Sequence, residues 1–282
     1  MRLLHGRPLA ERLSARSRER SEALTGRDIH PTLAAISVGI DPVANTYLQR
    51  LVRGGKAVGI TVRDVSLDRD ATEEAVMAEL DRASRDRATH GVLLMTPLPG
   101  KLAEGHLVDH IAPHKDVEGM NPYNVGLLLD GRPRFVPSTA EAIVELLKFH
   151  GVPLAGADVV VVGRSTVVGR PAAALLLNED ATVTVAHTRT ADVAALTRRA
   201  SVVVVAVGRA GFLTGEMIAP GATVIDAGIN MTPAGIAGDV DADSVASVAG
   251  ALSPVPGGVG TVTTALLLRN VLTAAETQTA GG

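Results

Sequence analysis

Residues 159–171, Val-Val-Val-Val-Gly-Arg-Ser-Thr-Val-Val-Gly-Arg-Pro, carry the strongest structural signal in the sequence. Four consecutive valines predict a strand buried on both faces, as in parallel sheets that helices cover. Gly163 predicts a tight turn, and the Ala- and Leu-rich run after Pro171 predicts a helix with proline in its first turn. Because glycine permits close approach and free N–H groups favour an anion, this strand, turn and helix predict a phosphate-binding site of the dinucleotide type.

The turn departs from the full Gly-x-Gly-x-x-Gly pattern, because Ser165 takes the place of the middle glycine. The alternative is an ordinary turn between a strand and a helix that binds no ligand; on the local pattern alone we favour the phosphate site. A later predicted strand ends in His187-Thr188-Arg189-Thr190, where an acidic residue would favour NAD. Arg189 and Arg164 suit a 2′-phosphate instead, since arginine pairs bidentately with phosphate. We therefore expect NADP rather than NAD, the alternative being that both arginines are solvated surface residues.

The rest of the chain alternates between predicted strands and helices. The predicted strands are residues 32–38, 59–65, 91–95, 159–162, 182–185, 202–207 and 223–225, and the predicted helices are residues 10–24, 45–58, 72–84, 138–149, 172–177 and 264–275. This alternation predicts an α/β fold with parallel sheets and right-handed crossovers. We expect one domain over residues 1–137, with the final helix (264–282) packing back on it. Residues 138–263 are expected to form a Rossmann-type dinucleotide-binding domain.

Composition excludes several classes of function. The 282 residues contain no cysteine, which excludes disulfides, thiolate metal sites and cysteine nucleophiles. The net charge of −3 gives no support for a nucleic-acid partner. Neither a secretory signal nor an apolar run of about 18 residues is apparent. We expect a cytoplasmic enzyme with a small-molecule substrate, no metal, no nucleic acid and no membrane association.

Five motifs together carry a resemblance to a known family. They are Gly163-Arg164-Ser165-x-x-Val168-Gly169-Arg170-Pro171, His187-Thr188-Arg189-Thr190, Val224-Ile225-Asp226-Ala227-Gly228-Ile229-Asn230, Gly238-Asp239-Val240 and Pro254-Val255-Pro256-Gly257-Gly258-Val259-Gly260. Their order and spacing resemble the bacterial bifunctional methylenetetrahydrofolate dehydrogenase/cyclohydrolase family over nearly the whole chain. The resemblance implies an N-terminal three-layer α/β folate domain and a C-terminal Rossmann-type NADP domain, with a cleft between them. It also implies a homodimer, as in many members.

The resemblance further implies an activity and its residues. A hydride passes from the methylene carbon of 5,10-methylenetetrahydrofolate to NADP, and water then adds to the methenyl product to give 10-formyltetrahydrofolate. The implied substrate residues are Tyr47, Glu118, Pro256, Gly257 and Gly258. The implied cofactor residues are Gly163, Arg164, Ser165, Val168, Gly169, His187, Thr188, Arg189, Ala206, Gly208, Asp226, Gly228 and Ile229. We interpret Asp226 as ordering backbone near the nicotinamide rather than moving protons.

The catalytic positions depart from the family pattern. The family has a tyrosine followed four residues later by a lysine, whereas here Tyr47 is followed by Leu51. A glutamine precedes the family's Leu-Pro-Leu-Pro run, and Met95 stands there in this chain. In the family this glutamine hydrogen-bonds the lysine, so both polar partners are replaced together. Glu118 replaces an aspartate, which keeps a carboxylate for the amino-pyrimidine edge of the pterin but moves it by one methylene.

These replacements should affect the two activities differently. Hydride transfer chiefly needs positioning, whereas water addition gains about 10²–10⁴-fold from acid–base help that Leu51 and Met95 do not offer. Two nearby cations could replace the missing lysine only if they shared the face of Tyr47. Lys56 lies about 180° from Tyr47 on a helical wheel and so faces away. Arg50 lies about 60° from Tyr47 but stays protonated and cannot act as a base, and we favour a surface position for it. We expect a dehydrogenase with weak or absent cyclohydrolase activity. The alternatives are a specialised paralogue acting on a different one-carbon substrate and a non-catalytic folate- and NADP-binding protein.

Overall fold

The structure is a computed structural model that describes residues 1–39, 41–100, 102–233 and 235–279. Its strands are β1 (Arg2–Leu3), β2 (Thr32–Val38), β3 (Thr61–Leu67), β4 (Gly91–Leu94), β5 (Asp158–Val162), β6 (Thr182–Ala186), β7 (Val202–Val205), β8 (Thr223–Asp226), β9 (Asn230–Thr232), β10 (Gly235–Ala237) and β11 (Ala251–Leu252). Its α-helices are α1 (Arg7–Thr25), α2 (Pro42–Ala57), α3 (Glu73–Arg85), α4 (Glu104–Leu107), α5 (Pro122–Leu129), α6 (Ser138–Phe149), α7 (Gly169–Asn178), α8 (Val193–Thr197), α9 (Ala242–Ala246) and α10 (Val259–Thr279). Short 3₁₀ helices span Val108–His110 and Gly215–Met217.

The chain divides into two compact units. The six-stranded unit comprises Met1–Glu11 and Pro137–Thr263, and the three-stranded unit comprises Arg12–Val136 and Thr264–Gly282. The first eleven residues thus cluster with the six-stranded unit and not with the first domain, where the sequence analysis put them. The reason is that β1 pairs with β11, Arg2 lying opposite Ala251. A two-residue strand with a distant partner has no periodic signal of its own.

The three-stranded unit is a sheet with helices on both faces. Its strand order is β3-β2-β4, and all pairs are parallel. Successive side chains of a strand point to opposite faces. Leu33 and Ala35 of β2 accordingly join one buried cluster, together with residues of α2 and α10. Ala34, Ile36 and Val38, on the opposite face of β2, join a second buried cluster with residues of α3. This arrangement confirms the predicted three-layer domain.

The six-stranded unit is a parallel sheet of order β1-β11-β8-β7-β5-β6. Strand β5, which lies between β6 and β7, is buried from Val159 to Val162, as the unbroken valine run predicts. α7 follows β5, so the strand–turn–helix unit predicted from residues 159–171 is confirmed. The sheet and its crossover helices confirm the Rossmann-type prediction.

Several predicted boundaries differ from the structure. α10 begins at Val259, five residues before its predicted start, because the helix includes Gly260 and the residues up to Thr263. β7 ends at Val205, two residues before its predicted end. The antiparallel pair β9–β10 has no counterpart in the sequence prediction. Among the described residues, no helix combines the length and apolar character needed to cross a bilayer.

Candidate functional sites

The predicted cofactor residues lie at one edge of the six-stranded sheet. Strands β6, β5, β7 and β8 are consecutive neighbours and parallel, so their carboxyl ends meet at the same edge. Gly163 follows β5, His187 follows β6, Ala206 follows β7 and Asp226 ends β8. In open parallel sheets, ligands bind in the crevice outside these carboxyl ends. The topology therefore brings the four predicted cofactor segments together.

The glycine turn after β5 leaves no room for side chains. Gly163 has φ +123°, and a Cβ there would lie 2.2 Å from the carbonyl oxygen of Ala206. A Cβ on Gly169 would lie 2.2 Å from the carbonyl oxygen of Gly163. The turn therefore brings bare backbone to the start of α7, an arrangement that suits a phosphate group.

Ser165 does more than replace a glycine. Its Oγ accepts hydrogen bonds from the backbone N–H groups of Val168 and Gly169, at 3.2 and 3.3 Å. The hydroxyl therefore caps the N-terminus of α7 from inside the turn. Arg164 is exposed beside it, and its carbonyl oxygen accepts from Nε of Arg170 at 3.2 Å. A small anion that reaches the helix amides has to share them with this hydroxyl.

The turn after β6 is closed by its own side chains. Oγ1 of Thr190 accepts from the backbone N–H of His187 at 2.9 Å, and Nδ1 of His187 accepts from the backbone N–H of Arg189 at 3.1 Å. Thr188 and Arg189 are exposed. The turn thus holds the Arg189 backbone in place and leaves its guanidinium accessible to a ligand.

Asp226 orders backbone at the end of β8. It is only 3% exposed, and its carboxylate accepts from the backbone N–H groups of Gly228, Asp239 and Val240 at 2.9, 2.9 and 3.0 Å. Burial raises the pKa of Asp226, while these hydrogen bonds oppose the rise. Ile229, three residues on, is exposed.

The predicted catalytic positions of the three-stranded unit are filled with apolar side chains. Leu51 on α2 is 0% exposed and Met95, which follows β4, is 3% exposed. Both belong to one buried cluster, against which half-buried Tyr47 packs. Arg50 and Lys56 on the same helix are exposed and lie outside that cluster. The space that a polar pair would need is therefore occupied by hydrocarbon and sulfur.

A buried lysine in the same unit lies at the other end of the sheet. Nζ of Lys115 donates to the carbonyl oxygen of Asp86 at 2.7 Å, and burial lowers its pKa. Asp86 precedes the amino end of β4, whereas Met95 follows its carboxyl end. Lys115 is therefore no replacement for a lysine at position 51.

The segment that carries Glu118 is fixed by a neighbouring carboxylate. Asp116 is 1% exposed, and its Oδ2 accepts from the backbone N–H of Asn121 and from Nδ2 of Asn124, both at 2.8 Å. Burial raises the pKa of Asp116. Gly119 has φ +64°, and a Cβ there would lie 2.3 Å from the carbonyl oxygen of Phe135. Glu118 itself is half-buried and so keeps access to a ligand.

The proline–glycine loop belongs to the six-stranded unit. Gly257 has φ +115°, and its carbonyl oxygen accepts from the backbone N–H of Gly6 at 2.8 Å. A Cβ on Gly258 would lie 2.7 Å from the carbonyl oxygen of Pro254. Pro256 is exposed. The predicted substrate residues are thus divided between the two units.

Two organising residues were missed by the sequence analysis. Asp116 received no role, because its burial and hydrogen bonds appear only in the folded chain. Asp239 lies within a quoted motif, yet only the folded chain reveals its partners, which come from three separate segments. Among the described residues, no group of three or more His, Asp or Glu could hold a metal ion.

A Rossmann-type sheet with a glycine turn at its carboxyl edge, joined in one chain to a three-layer α/β unit, is the architecture of a two-domain α/β dinucleotide-binding protein. Comparisons with known proteins identify the family. The tetrahydrofolate dehydrogenase/cyclohydrolase catalytic domain matches residues 4–118, and the NAD(P)-binding domain of the same family matches residues 137–279. The chain belongs to the tetrahydrofolate dehydrogenase/cyclohydrolase family, as the motifs predict.

Relatives match over the full length. The bifunctional protein FolD of Nocardia farcinica is 50% identical over 274 residues, which cover 97% of each chain. The bifunctional FolD structure from Campylobacter jejuni is 36% identical with a TM-score of 0.96, covering 99% of each chain. The Trypanosoma brucei enzyme, whose structure is a complex with NADP cofactor and inhibitor, is 36% identical with a TM-score of 0.93, covering 98% of this chain and 97% of that one.

Proposed function

We propose that this chain is an NADP-dependent 5,10-methylenetetrahydrofolate dehydrogenase whose cyclohydrolase step is weak or absent. Family membership supports the dehydrogenase, the NAD(P)-binding domain and the tetrahydrofolate substrate. One observation carries the rest of the proposal. Leu51 and Met95 stand at the family's lysine and glutamine positions, and both are buried in one apolar cluster.

The joint replacement is energetically coherent. A buried donor or acceptor that loses its partner costs about 1–3 kcal/mol, whereas replacing both partners with apolar groups is close to neutral. Leu51 and Met95 remove both partners, and their side chains fill the space. Methionine adapts to irregular gaps because it is unbranched and flexible. The site therefore stays well packed while it loses the groups that activate water.

Hydride transfer makes smaller demands on the side chains. A bound nicotinamide supplies the hydride acceptor, and the chain has to position the folate and exclude water. Tyr47 offers an aromatic face for the pterin, and Glu118 offers a carboxylate that accepts paired hydrogen bonds from its amino-pyrimidine edge. Neither role requires a side chain to take up a proton from the reacting carbon.

The choice of NADP rests on the two exposed arginines. Arg164 and Arg189 follow the adjacent strands β5 and β6, and no acidic residue stands at the end of β6. Two guanidiniums suit the dianionic 2′-phosphate. A homodimer remains a prediction from the family resemblance, and sedimentation of the purified protein would test it. A cytoplasmic location remains a prediction from the composition.

The direct test supplies purified wild-type protein with NADP⁺ and 5,10-methylenetetrahydrofolate. NADPH should form, and methenyltetrahydrofolate should accumulate in equal amount, because nothing in the site hastens its hydrolysis. The bifunctional Nocardia farcinica relative, run alongside, is the control for hydrolysis. Failure to form NADPH would contradict the dehydrogenase assignment. NADPH formation without methenyl accumulation would contradict the loss of the second step.

A second candidate is a specialised enzyme for a different one-carbon substrate. The longer carboxylate of Glu118, together with Leu51 and Met95, favours it, because all three change the predicted folate site. This candidate predicts tight NADP binding but no oxidation of methylenetetrahydrofolate. A protein that binds both ligands without turning either over would instead be a non-catalytic folate- and NADP-binding protein.

A further inference from the structure

Two buried carboxylates, Asp226 and Asp239, interlock beside the predicted cofactor edge. Asp239 is 0% exposed. Its Oδ2 accepts from the backbone N–H groups of Val207 and Gly208 at 2.6 and 2.9 Å. Its Oδ1 accepts from the backbone N–H of Arg209 at 2.9 Å and from Nδ2 of Asn230 at 2.8 Å. One side chain therefore holds three consecutive amides and a fourth donor.

Each carboxylate occupies the space above the other's neighbouring glycine. A Cβ on Gly228 would lie 2.3 Å from Cγ of Asp239. A Cβ on Gly238 would lie 1.8 Å from Oδ2 of Asp226. The backbone N–H of Asp239 in turn donates to Oδ1 of Asp226 at 2.9 Å. The segments Asp226-x-Gly228 and Gly238-Asp239 therefore hold each other in place. This reciprocal contact, the Asp226–Asp239 lock, leaves no room for a side chain at either glycine.

The lock sets the shape of the loop after β7. Residues 207–209 follow Ala206, whose carbonyl oxygen is the atom that a Cβ on Gly163 would strike. The loop held by Asp239 is thus the direct neighbour of the phosphate turn. Since the Asp239 carboxylate is fully buried and turned toward protein amides, it acts through the backbone and not on a ligand.

We infer that Asp239 is a positioning residue for NADP binding, which it supports by holding residues 206–209 in the shape that the dinucleotide needs. The inference rests on the proposed function, because it takes the carboxyl edge of this sheet as the NADP site. It adds a residue to which the sequence motifs gave no role. The inference predicts no change in folate binding, because Asp226, Asp239 and the loop that they hold all lie within the six-stranded unit.

An asparagine cannot take over the role of Asp239. Each carboxylate oxygen accepts two hydrogen bonds, so either orientation of an amide would set its NH₂ group against two N–H donors. The neighbouring Asp241 provides a matched control. Its Oδ1 accepts from the backbone N–H of Ser244 at 3.2 Å as the N-cap of α9, and asparagine caps helices equally well.

The experiment compares wild type, Asp239→Asn and Asp241→Asn by NADPH titration, steady-state kinetics and amide hydrogen exchange. In Asp239→Asn, the Kd for NADPH and the KM for NADP⁺ should rise about tenfold or more, because residues 207–209 lose two of the hydrogen bonds that hold the loop in its binding shape. The kcat at saturating NADP⁺ and the folate KM should change less than about threefold. Amides of residues 207–209 should exchange faster. Asp241→Asn should match wild type in all five quantities.

A milder variant keeps the inference testable if Asp239→Asn fails to fold. Asn230→Ala removes one donor to Asp239 and leaves the carboxylate in place, so a rise of about two- to fivefold in the Kd for NADPH is expected, with faster exchange at Arg209. An unchanged Kd in either folded variant overturns the inference, and so does unchanged exchange at residues 207–209. Wild-type protein that fails to bind NADPH would overturn the proposed function itself, which separates the two failures.

Discussion

Replacing Leu51 by lysine and Met95 by glutamine in the same chain should create cyclohydrolase activity at a measurable cost in stability. Leu51 is 0% exposed, so a lysine there is desolvated and its pKa falls. Neutralising a lysine of ordinary pKa at pH 7 costs about 4–5 kcal/mol. Leu51→Lys alone should therefore lose roughly 4–6 kcal/mol, since the alkyl stem keeps part of the apolar contact. This is a large share of the roughly 5–15 kcal/mol by which domains are stable.

The second change should recover part of this loss. Glutamine at position 95 offers the amine a hydrogen-bond partner worth about 1–2 kcal/mol, so the double variant should be more stable than the sum of the single variants predicts. The folded pKa of the introduced lysine lies below its unfolded value. The unfolded state then binds more protons, and the stability deficit should narrow as pH rises from 7 toward 10. Urea unfolding at several pH values measures both effects.

The rate of methenyl hydrolysis supplies the functional readout. A neutral lysine with a hydrogen-bond partner should speed hydrolysis by about 10²–10⁴-fold over wild type. Leu48→Lys is the matched control, because Leu48 lies on the same helix in the same cluster and is 4% exposed. It should be destabilised to a similar degree and gain no hydrolysis. A folded, folate-binding double variant that hydrolyses no faster than wild type would show that Leu51 and Met95 are not what limits hydrolysis.

Three further perturbations test other parts of the account. Arg189→Ala should raise the KM for NADP⁺ by about 10–100-fold and leave the KM for NAD⁺ within about twofold; equal effects in steady-state assays would contradict a 2′-phosphate role. Gly163→Ala should lower the unfolding free energy by more than about 2 kcal/mol, because φ is +123° and the new Cβ meets a carbonyl oxygen at 2.2 Å; a melting temperature like that of wild type would be inconsistent with this turn. A hydrogen bond from Arg63, joined by one from Thr89, holds the pKa of the Asp86 carboxyl well below its usual range. Its stabilising contribution is present above about pH 4 and lost as pH falls below that, so the stability gap between wild type and Asp86→Asn should shrink from pH 5 toward pH 2; a gap independent of pH in urea unfolding would exclude this contribution.

The strands of the two parallel sheets were predicted well, because their hydrophobic patterns involve residues that are close in sequence. The bounds of β2 match the prediction, and the valine run of β5 appears as a buried strand. The N-terminal turn of α3 also follows its sequence, with Thr72 accepting from the backbone N–H of Ala75 and Glu73 next to it. Such features depend on residues within a few positions of one another.

Non-local features could not be predicted in the same way. β1 exists only because β11 lies beside it, and the role of Asp239 depends on amides about 30 residues earlier in the chain. The cap that Ser165 provides depends on the folded turn, although the residue was correctly singled out as a departure from the glycine pattern. The apolar pair was found from sequence only because the family pattern marked positions 51 and 95. Their burial in one cluster required the fold.

The claim that hydride transfer has been separated from water addition is tested most directly by the decay of 5,10-methenyltetrahydrofolate in the presence of wild-type protein. The substrate is supplied without NADP, so the dehydrogenase step plays no part. The first-order decay constant should stay close to the buffer value as protein concentration rises, since Leu51 and Met95 provide no acid–base group. A decay constant that increases in proportion to protein concentration, at a rate comparable to that of a bifunctional relative, would contradict it.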